Sequence, residues 1–459
     1  MRDNLLLDTD SYKLSHWVQY PPKTTSMYSY LESRGGKYGH TVMFGLQPIL
    51  KRLEQGFTMD DVNEARDFAA AHGEPFNYDG WSACYAKHNG AFPVRIRAVA
   101  EGVVVPVSNI LMSVESTDPE FFWVVSYLET VLMRMWYPIT VATQSWTIKQ
   151  IIRGYLDRTA DDTDAEINFK LHDFGSRGVS SYESACIGGA AHLTQFMGSD
   201  TMAGVRFANH YYKSPMSGFS IPAAEHSTIT MWGKEREEDA YRNMIQQYGK
   251  QGKLFAVVSD SYDLFNACSN IWGKKLKEEV LGCGGTLIVR PDSGDPTTIV
   301  LKTLQSLDAS FGSSYNKKGF KVLNGVRVIQ GDGINEDSIR SILEAACAAG
   351  YSASNIAFGM GGALLQQVNR DTQKFAFKCS HAVVGGQSVD VFKDPVTDHG
   401  KRSKKGRLDL VMRLAKGKQE ISTVPGESFG SLLKPVFENG KILREYTLEE
   451  VRRNCTETT

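Results

Sequence analysis

FAVVSDSYD at Phe255–Asp263, LIVRPDSGD at Leu287–Asp295, VRVIQGDG at Val326–Gly333 and NIAFGMGGA at Asn355–Ala363 follow one rule. In each, an apolar run ends in an acidic or glycine-rich corner. Short continuous runs of Val, Ile, Leu and Phe read as strands buried on both faces, the mark of a parallel sheet. Carboxylates and glycines just beyond such strands stand where α/β enzymes bind ligands, at the carboxyl ends. The corners at Asp260, Asp292, Asp332 and Gly361 recur at intervals of roughly 30 to 40 residues, enough for a strand and its return helix. The pattern points to an enzyme, and to a phosphorylated substrate.

Working outward, LHDFGSRG at Leu171–Gly178 reads as an earlier unit of the same kind. After Asp332, Ile339, Ile342, Leu343 and Ala346 form one helical stripe that Gly350 stops. These units predict an α/β fold with an irregular (β/α) barrel over 146–379. An open doubly wound sheet is the alternative, because spacing does not decide closure. Residues 1–145, completed by 380–459, are expected to form an α+β domain. There Val94, Ile96 and Ala98 alternate with Arg95 and Arg97 in the manner of a strand. Phe121–Tyr137 reads as a buried helix capped by Asp118 and ended by Pro138, and Ile148, Ile151, Ile152, Tyr155 and Leu156 mark a linking helix.

The 459 residues carry a formal net charge of -1, which gives no reason to invoke nucleic acid or an acidic membrane. Seven scattered cysteines without a C-x-x-C pair point to reduced thiols and a cytoplasmic location. The opening MRDNLLLDTD has too short an apolar stretch for a signal peptide. No H-E-x-x-H is present, so a zincin site is not expected.

Several groups could carry chemistry. Gly359-Met360-Gly361-Gly362-Ala363 follows a strand and precedes a helix, where backbone N–H groups can cradle a phosphate. A ligand-free turn is the commoner role for one glycine cluster. Asp292 and Asp332 suit a ribose diol or a magnesium ion, although Asp also favours turns and caps. Arg290 and Arg177 place cations just past strands, for a substrate or for a structural ion pair. Lys401-Arg402-Ser403-Lys404-Lys405-Gly406-Arg407, with Lys378 and Lys393 nearby, is either a solvated loop or a diphosphate contact. His226 lies among small and hydroxylated residues beside Glu225; a lone His is more often a hydrogen-bonded core residue than a catalyst.

TDSYKLSHWVQYPP (Thr9–Pro22), KLHDFGSRGVSS (Lys170–Ser181), PAAEHSTIT, VVSDSYD, IVRPDSG, VIQGDG, FGMGGALLQ and VFKDPV with KRSKKGRL together resemble the nicotinamide phosphoribosyltransferases, nearly end to end. The resemblance implies condensation of nicotinamide with phosphoribosyl pyrophosphate in NAD salvage. It further implies Mg2+, ATP as co-substrate, and a homodimer with shared active sites. By motif, Phe174 and a partner-subunit Tyr12 would sandwich the pyridine beside Arg290, and Asp200 would accept from the carboxamide. Asp292 would hold the ribose hydroxyls, with Gly331, Asp332, Gly361 and Gly362 at the ribose and its phosphate. Arg34, Arg370, Lys378, Lys393 and Lys401 would meet diphosphate or ATP, and Arg177 the reaction centre. His226 would be the phosphoacceptor, with Ser259 and Asp263 in its support; no magnesium ligand is assigned. Ala376, Ser176 and Met360 depart from the family pattern, which has serine, tyrosine and serine there.

Overall fold

The computed structural model describes residues 4–397, 402–415 and 418–457. It divides into two compact units, one of Met1–Thr143, Tyr211–Ser214 and Asn369–Thr459, the other of Gln144–His210 and Pro215–Val368.

The second unit holds six parallel strands: β1 (Leu171–Asp173), β2 (Gly198–Ser199), β3 (Leu254–Val258), β4 (Thr286–Arg290), β5 (Val326–Gln330) and β6 (Ile356–Met360), in the order β2-β1-β6-β5-β4-β3. The four apolar runs and LHD thus become strands of one sheet. The sheet curls until its edges meet a common segment. Phe219 bridges β2 at Gly198 and Ala223 bridges β3 at Ala256, both in parallel sense. The Ala224 N–H bonds to the Ala256 carbonyl, and the Ala256 N–H to that of Pro222, each at 2.9 Å. Residues 219–224 therefore close an irregular barrel, and the open-sheet alternative falls. All six strands end at the same mouth, which gathers Phe174, Asp200, Asp260, Asp292, Asp332 and the Gly361 corner. The helix Glu336–Ala348 buries the expected stripe, and Gly350 takes φ +83° just beyond it.

A packed barrel would be filled by layers of large side chains. Here Ala256 on β3 and Ala357 on β6 project little bulk beside Ile288 and Ile329. A cavity of about 360 Å³ remains inside, reaching from Phe174 and Arg290 to Arg327 and Ser354 at the far end of the strands.

The first unit holds a seven-stranded antiparallel sheet in which Thr24–Ser33 pairs with Phe375–Val384 on one side and with the central strand, Ile110–Ser116, on the other. That pairing assigns residues 369–379 to this unit instead of to the barrel. Val94, Ile96 and Ala98 are buried, while Arg95 pairs with Glu115 and Glu438 on the opposite face. Trp81 and Phe92 anchor the core beneath helix Tyr78–His88. The single helix expected over Phe121–Tyr137 is instead three short pieces: Pro119–Phe121, Val124–Tyr127 and Glu129–Met133. Asp118 does cap the first, accepting from the Glu120 N–H at 3.0 Å. Pro138 ends nothing: it sits in the first turn of Trp136–Thr159, where a missing N–H leaves no helical bond unmade.

Candidate active site

At the barrel mouth the chain turns sharply after β1. The Phe174 N–H donates to the Met360 carbonyl at 2.9 Å, and the Gly175 N–H to Asp173 Oδ1 at 2.7 Å. The Phe174 ring lies against Gly359 of β6 so closely that only a glycine leaves room for it. The Arg290 guanidinium stands 5.6 Å from the ring centroid, within cation–π range. Arg290 is also tied to Asp292, with Nε at 2.9 Å and Nη2 at 2.7 Å from the same oxygen, Oδ1. The second Asp292 oxygen is left for another donor. Asp200, exposed at the end of β2, accepts from the Ser220 hydroxyl at 2.5 Å. Phe174, Asp200, Ser220 and Arg290 thus line one end of a cavity walled by Ala256, Ile288, Ile329 and Ala357, with Lys170, Arg327 and Ser354 toward the other end. A flat heterocycle with one polar substituent fits that chemistry.

Around the rim, Gly331 backs Arg290: a Cβ there would lie 3.2 Å from Nη2. Asp332 is exposed beyond β5, and Gly362 faces open space, so backbone can approach a ligand there. Arg177 is exposed on the turn Ser176–Gly178.

His226 begins the short helix His226–Thr230, and its Nε2 is 2.9 Å from Asp260 Oδ1. The Ser293 hydroxyl donates to the other Asp260 oxygen at 2.6 Å. Asp260 and Ser293 therefore support His226, and the two expected supports, Ser259 and Asp263, are occupied elsewhere, as is the adjacent Glu225. Ser259 is fully buried, donating to the Val257 carbonyl and accepting from Trp272 Nε1 at 3.1 Å. Asp263 caps its own helix through the Asn266 N–H at 3.0 Å. Glu225 accepts from Ser227. Sequence reasoning flagged Asp260 as a corner without a role and passed over Ser220 and Ser293, which lie in no regular pattern.

In the first unit a cavity of about 700 Å³ is lined by Arg34, Arg370, Lys374, Lys378 and Lys393 against Glu129 and Asp371. Burial, and then the charges of Arg34, Lys393 and Arg370, hold the Lys378 ammonium below its ordinary pKa, with Glu129 opposing. Arg34 Nη2 is buried without a hydrogen-bond partner. Crowded cations with a spare donor describe an anion site. Four of the five expected phosphate-binding cations meet here, and Lys401 lies outside the described residues. The rest of the basic run is spent on ion pairs: Arg402 with Asp394, Lys404 with Glu32, Lys405 with Asp390 and Arg407 with Glu115. Ala376 lines the basin without a hydroxyl, and Met360 is buried at the end of β6. Tyr12 is exposed on the 3-10 helix Ser11–Val18, edge-on to His16. Among the described residues no cluster of three or more His, Cys, Asp or Glu could cage a metal ion.

The nicotinate phosphoribosyltransferase (NAPRTase) family model matches residues 169–441, and the nicotinamide phosphoribosyltransferase N-terminal domain model matches residues 4–96. The chain belongs to the nicotinate phosphoribosyltransferase family. Within it, a curated relative from Xanthomonas campestris named "Nicotinamide phosphoribosyltransferase" is 57% identical over 99% of this chain and 98% of its own. One of the same name from Acinetobacter baylyi is 31% identical over 99% and 98%. Two solved structures share the fold at 17% identity. Nicotinate-nucleotide pyrophosphorylase from Pyrococcus furiosus has a TM-score of 0.63 over 100% of this chain and 96% of that one. Human nicotinic acid phosphoribosyltransferase has 0.57 over 98% and 93%. The barrel is thus that of the type II phosphoribosyltransferases, and the family is one of pentosyltransferases.

Proposed function

We propose that this chain condenses nicotinamide with phosphoribosyl pyrophosphate, giving nicotinamide mononucleotide and pyrophosphate for NAD salvage. The observation that carries this reading is the placing of Phe174 with Asp200 at the mouth of the barrel cavity, beside Arg290. Phe174 offers a stacking surface, and Asp200 an acceptor for a carboxamide N–H. The high identity to relatives of that name supports it.

The chemistry asks little proton transfer of the protein. The pyridine nitrogen already has a free lone pair, so it attacks the anomeric carbon without a general base. The C–N bond forms as the bond to the diphosphate oxygen breaks, and the diphosphate leaves with the electron pair. What the protein supplies is alignment and a home for the leaving charge. Asp292 and Asp332 are assigned to the ribose hydroxyls, Gly331, Gly361 and Gly362 to the sugar phosphate, and Arg177 to the reaction centre. Arg34, Arg370, Lys378 and Lys393 are assigned to diphosphate or ATP phosphates.

The absence of a carboxylate cage among the described residues fits magnesium arriving on the diphosphate, since Mg2+ keeps waters and substrate phosphate oxygens as ligands. When bound, the ion would neutralise part of the departing charge. ATP stimulation is assigned to His226. With Nε2 hydrogen-bonded to Asp260, the outward lone pair falls on Nδ1, which would accept the γ-phosphoryl as ADP leaves. Tyr12 of the partner subunit would complete the pyridine sandwich in a homodimer. Free cysteines fit the cytoplasm, and among the described residues no helix is long and apolar enough to cross a membrane.

The test is incubation of purified protein with phosphoribosyl pyrophosphate, magnesium and either nicotinamide or nicotinic acid. Formation of nicotinamide mononucleotide, with nicotinic acid used far less, is the expected result. Equal use of both acids and amides, or no product, rejects the proposal.

A further inference from the structure

Asp173 ends β1 and is fully buried, yet the proposed chemistry gives it no part. Its carbonyl accepts the Asp200 N–H at 2.9 Å, and its Oδ1 accepts the Gly175 N–H at 2.7 Å. One residue thus fastens two turns, the one that carries Phe174 and the one that carries Asp200. Its register neighbours are Met360, whose carbonyl holds the Phe174 N–H, and Ser199, which precedes Asp200.

The other carboxylate oxygen is in a costly place. Oδ2 and the nearby Thr201 hydroxyl are both buried, and neither makes a hydrogen bond of good geometry. Helices Tyr182–His192 and Met202–Tyr211 cross over them through Gly189 and Gly204. A Cβ on Gly189 would lie 2.9 Å from Gly204 Cα and 3.3 Å from Asp173 Oδ2, so no side chain from this crossing can reach in to help. Burial, helped least by the charge of Asp200, pushes the Asp173 pKa up to about 6, against the pull of the Gly175 N–H and the Thr201 hydroxyl. A buried acid kept half-satisfied is a stability loss, and the two turns are what it holds in exchange.

We infer that Asp173 is a positioning residue: through its carbonyl and Oδ1 it sets the spacing between the Phe174 ring and the Asp200 carboxylate, and thereby how a pyridine carboxamide is held. The ligand named here rests on the nicotinamide reading above.

The test compares Asp173→Ala, which removes the Oδ1 acceptor, with Asp173→Asn, which keeps it. Asp173→Ala should raise KM for nicotinamide by about tenfold or more and leave KM for phosphoribosyl pyrophosphate nearly unchanged. Amide exchange should quicken at 174–176, while 199–201, held by the backbone carbonyl that alanine keeps, and β3 stay protected. Asp173→Asn should keep both the nicotinamide KM and the exchange pattern close to wild type. An equal rise in both KM values, loss of protection throughout the barrel, or an Asn variant as damaged as Ala overturns the inference. Should Asp173→Ala fail to fold, the wild-type protein still decides: Gly175 and Asp200 amides that exchange as fast as exposed loops overturn it too. Wild-type protein that makes no nicotinamide mononucleotide sinks the functional reading instead, and the exchange pattern alone then judges Asp173.

Discussion

Gly359→Ala should leave the barrel folded and empty the pyridine site. A Cβ at position 359 would lie 1.9 Å from Phe174 Cε2 and 2.1 Å from Cδ2. Carbon atoms rest at roughly 3.5–4.0 Å, so the ring must retreat by roughly 1.5–2 Å. Phe174 is partly exposed at the mouth and can swing away, so the stability cost should stay at the low end of the ~1–3 kcal/mol typical of overpacking. Function has no such outlet. A shift of that size takes the stacking face out of register with Asp200 and the anomeric carbon, and a displacement of ~1 Å can cost ~10²-fold. That corresponds to about 2.7 kcal/mol in transition-state stabilisation. Initial-rate kinetics with nicotinamide varied, beside thermal denaturation, measures both effects. The decisive control is a double-mutant cycle with Phe174→Ala, because without the ring a methyl at 359 meets space. Gly359→Ala should add less than about threefold in that background. Unchanged nicotinamide kinetics in the single variant, or full additivity in the double, would refute the argument.

Asp200→Asn should shift the ratio of kcat/KM values toward nicotinic acid, because two carboxylates ~4 Å apart repel by about 4 kcal/mol at an effective dielectric constant of 20; an unchanged ratio rejects the role of Asp200. Lys378→Met should raise KM for phosphoribosyl pyrophosphate by roughly tenfold or more and spare KM for nicotinamide, as checked by varying each substrate in turn. His226→Ala should abolish ATP stimulation while some ATP-independent turnover survives, and Asp260→Asn should weaken stimulation in the same direction; stimulation at the wild-type level in His226→Ala removes the phosphoacceptor assignment. Asp173 has a folded-state pKa of about 6 against 3.8 for the free group, so its protonated form is favoured by folding. Its contribution is therefore present at low pH and lost as pH rises through about 6, by at most about 3 kcal/mol. Asp200 is the charged group beside it, the helices above present Gly189 and Gly204, and Thr201 lies just before the second of them. Asp173→Asn should thus raise Tm at about pH 7.5 and lose that advantage near pH 4, and a Tm gain independent of pH would contradict the assignment.

The strands and their corners were legible because each obeys a local rule: a continuous apolar run can only be buried on both faces, and an Asp or Gly after it can only lie at the exit. Closure was not legible. It depends on residues 219–224, whose Phe-Ser-Ile-Pro-Ala-Ala has no alternation and a proline, and which bridges both sheet edges through a few backbone bonds only the assembled barrel makes possible. The broken helix at 121–137 escaped for a similar reason, since composition favoured one helix and packing of Phe121, Val125 and Leu132 into the sheet required three. Within the site, charged residues were readable and their partners were not. Ser259, Asp260 and Asp263 stand within one strand exit, but strand alternation turns Ser259 inward to Trp272, while Asp260 alone reaches His226. Neighbours in sequence share an address without sharing a direction.

Under the proposed function, the balance of charge at the mouth would make an amide the better ligand than an acid. Arg290 is the cation nearest the ring, and taken alone it would invite a carboxylate. Its charge is already met by Asp292 at 2.7 Å, a distance at which the pair acts on a third group as little more than a dipole. Asp200 has no such compensation: its carboxylate is met by the neutral Ser220 hydroxyl. The apolar wall of Ile288, Ile329, Ala256 and Ala357 below the mouth offers that negative charge no cation. A carboxamide answers it with an N–H donor, and a carboxylate could only add to it. Selectivity of this kind comes from an unpaired acid held in place, which is why the turn that fixes Asp200 matters as much as Asp200 itself.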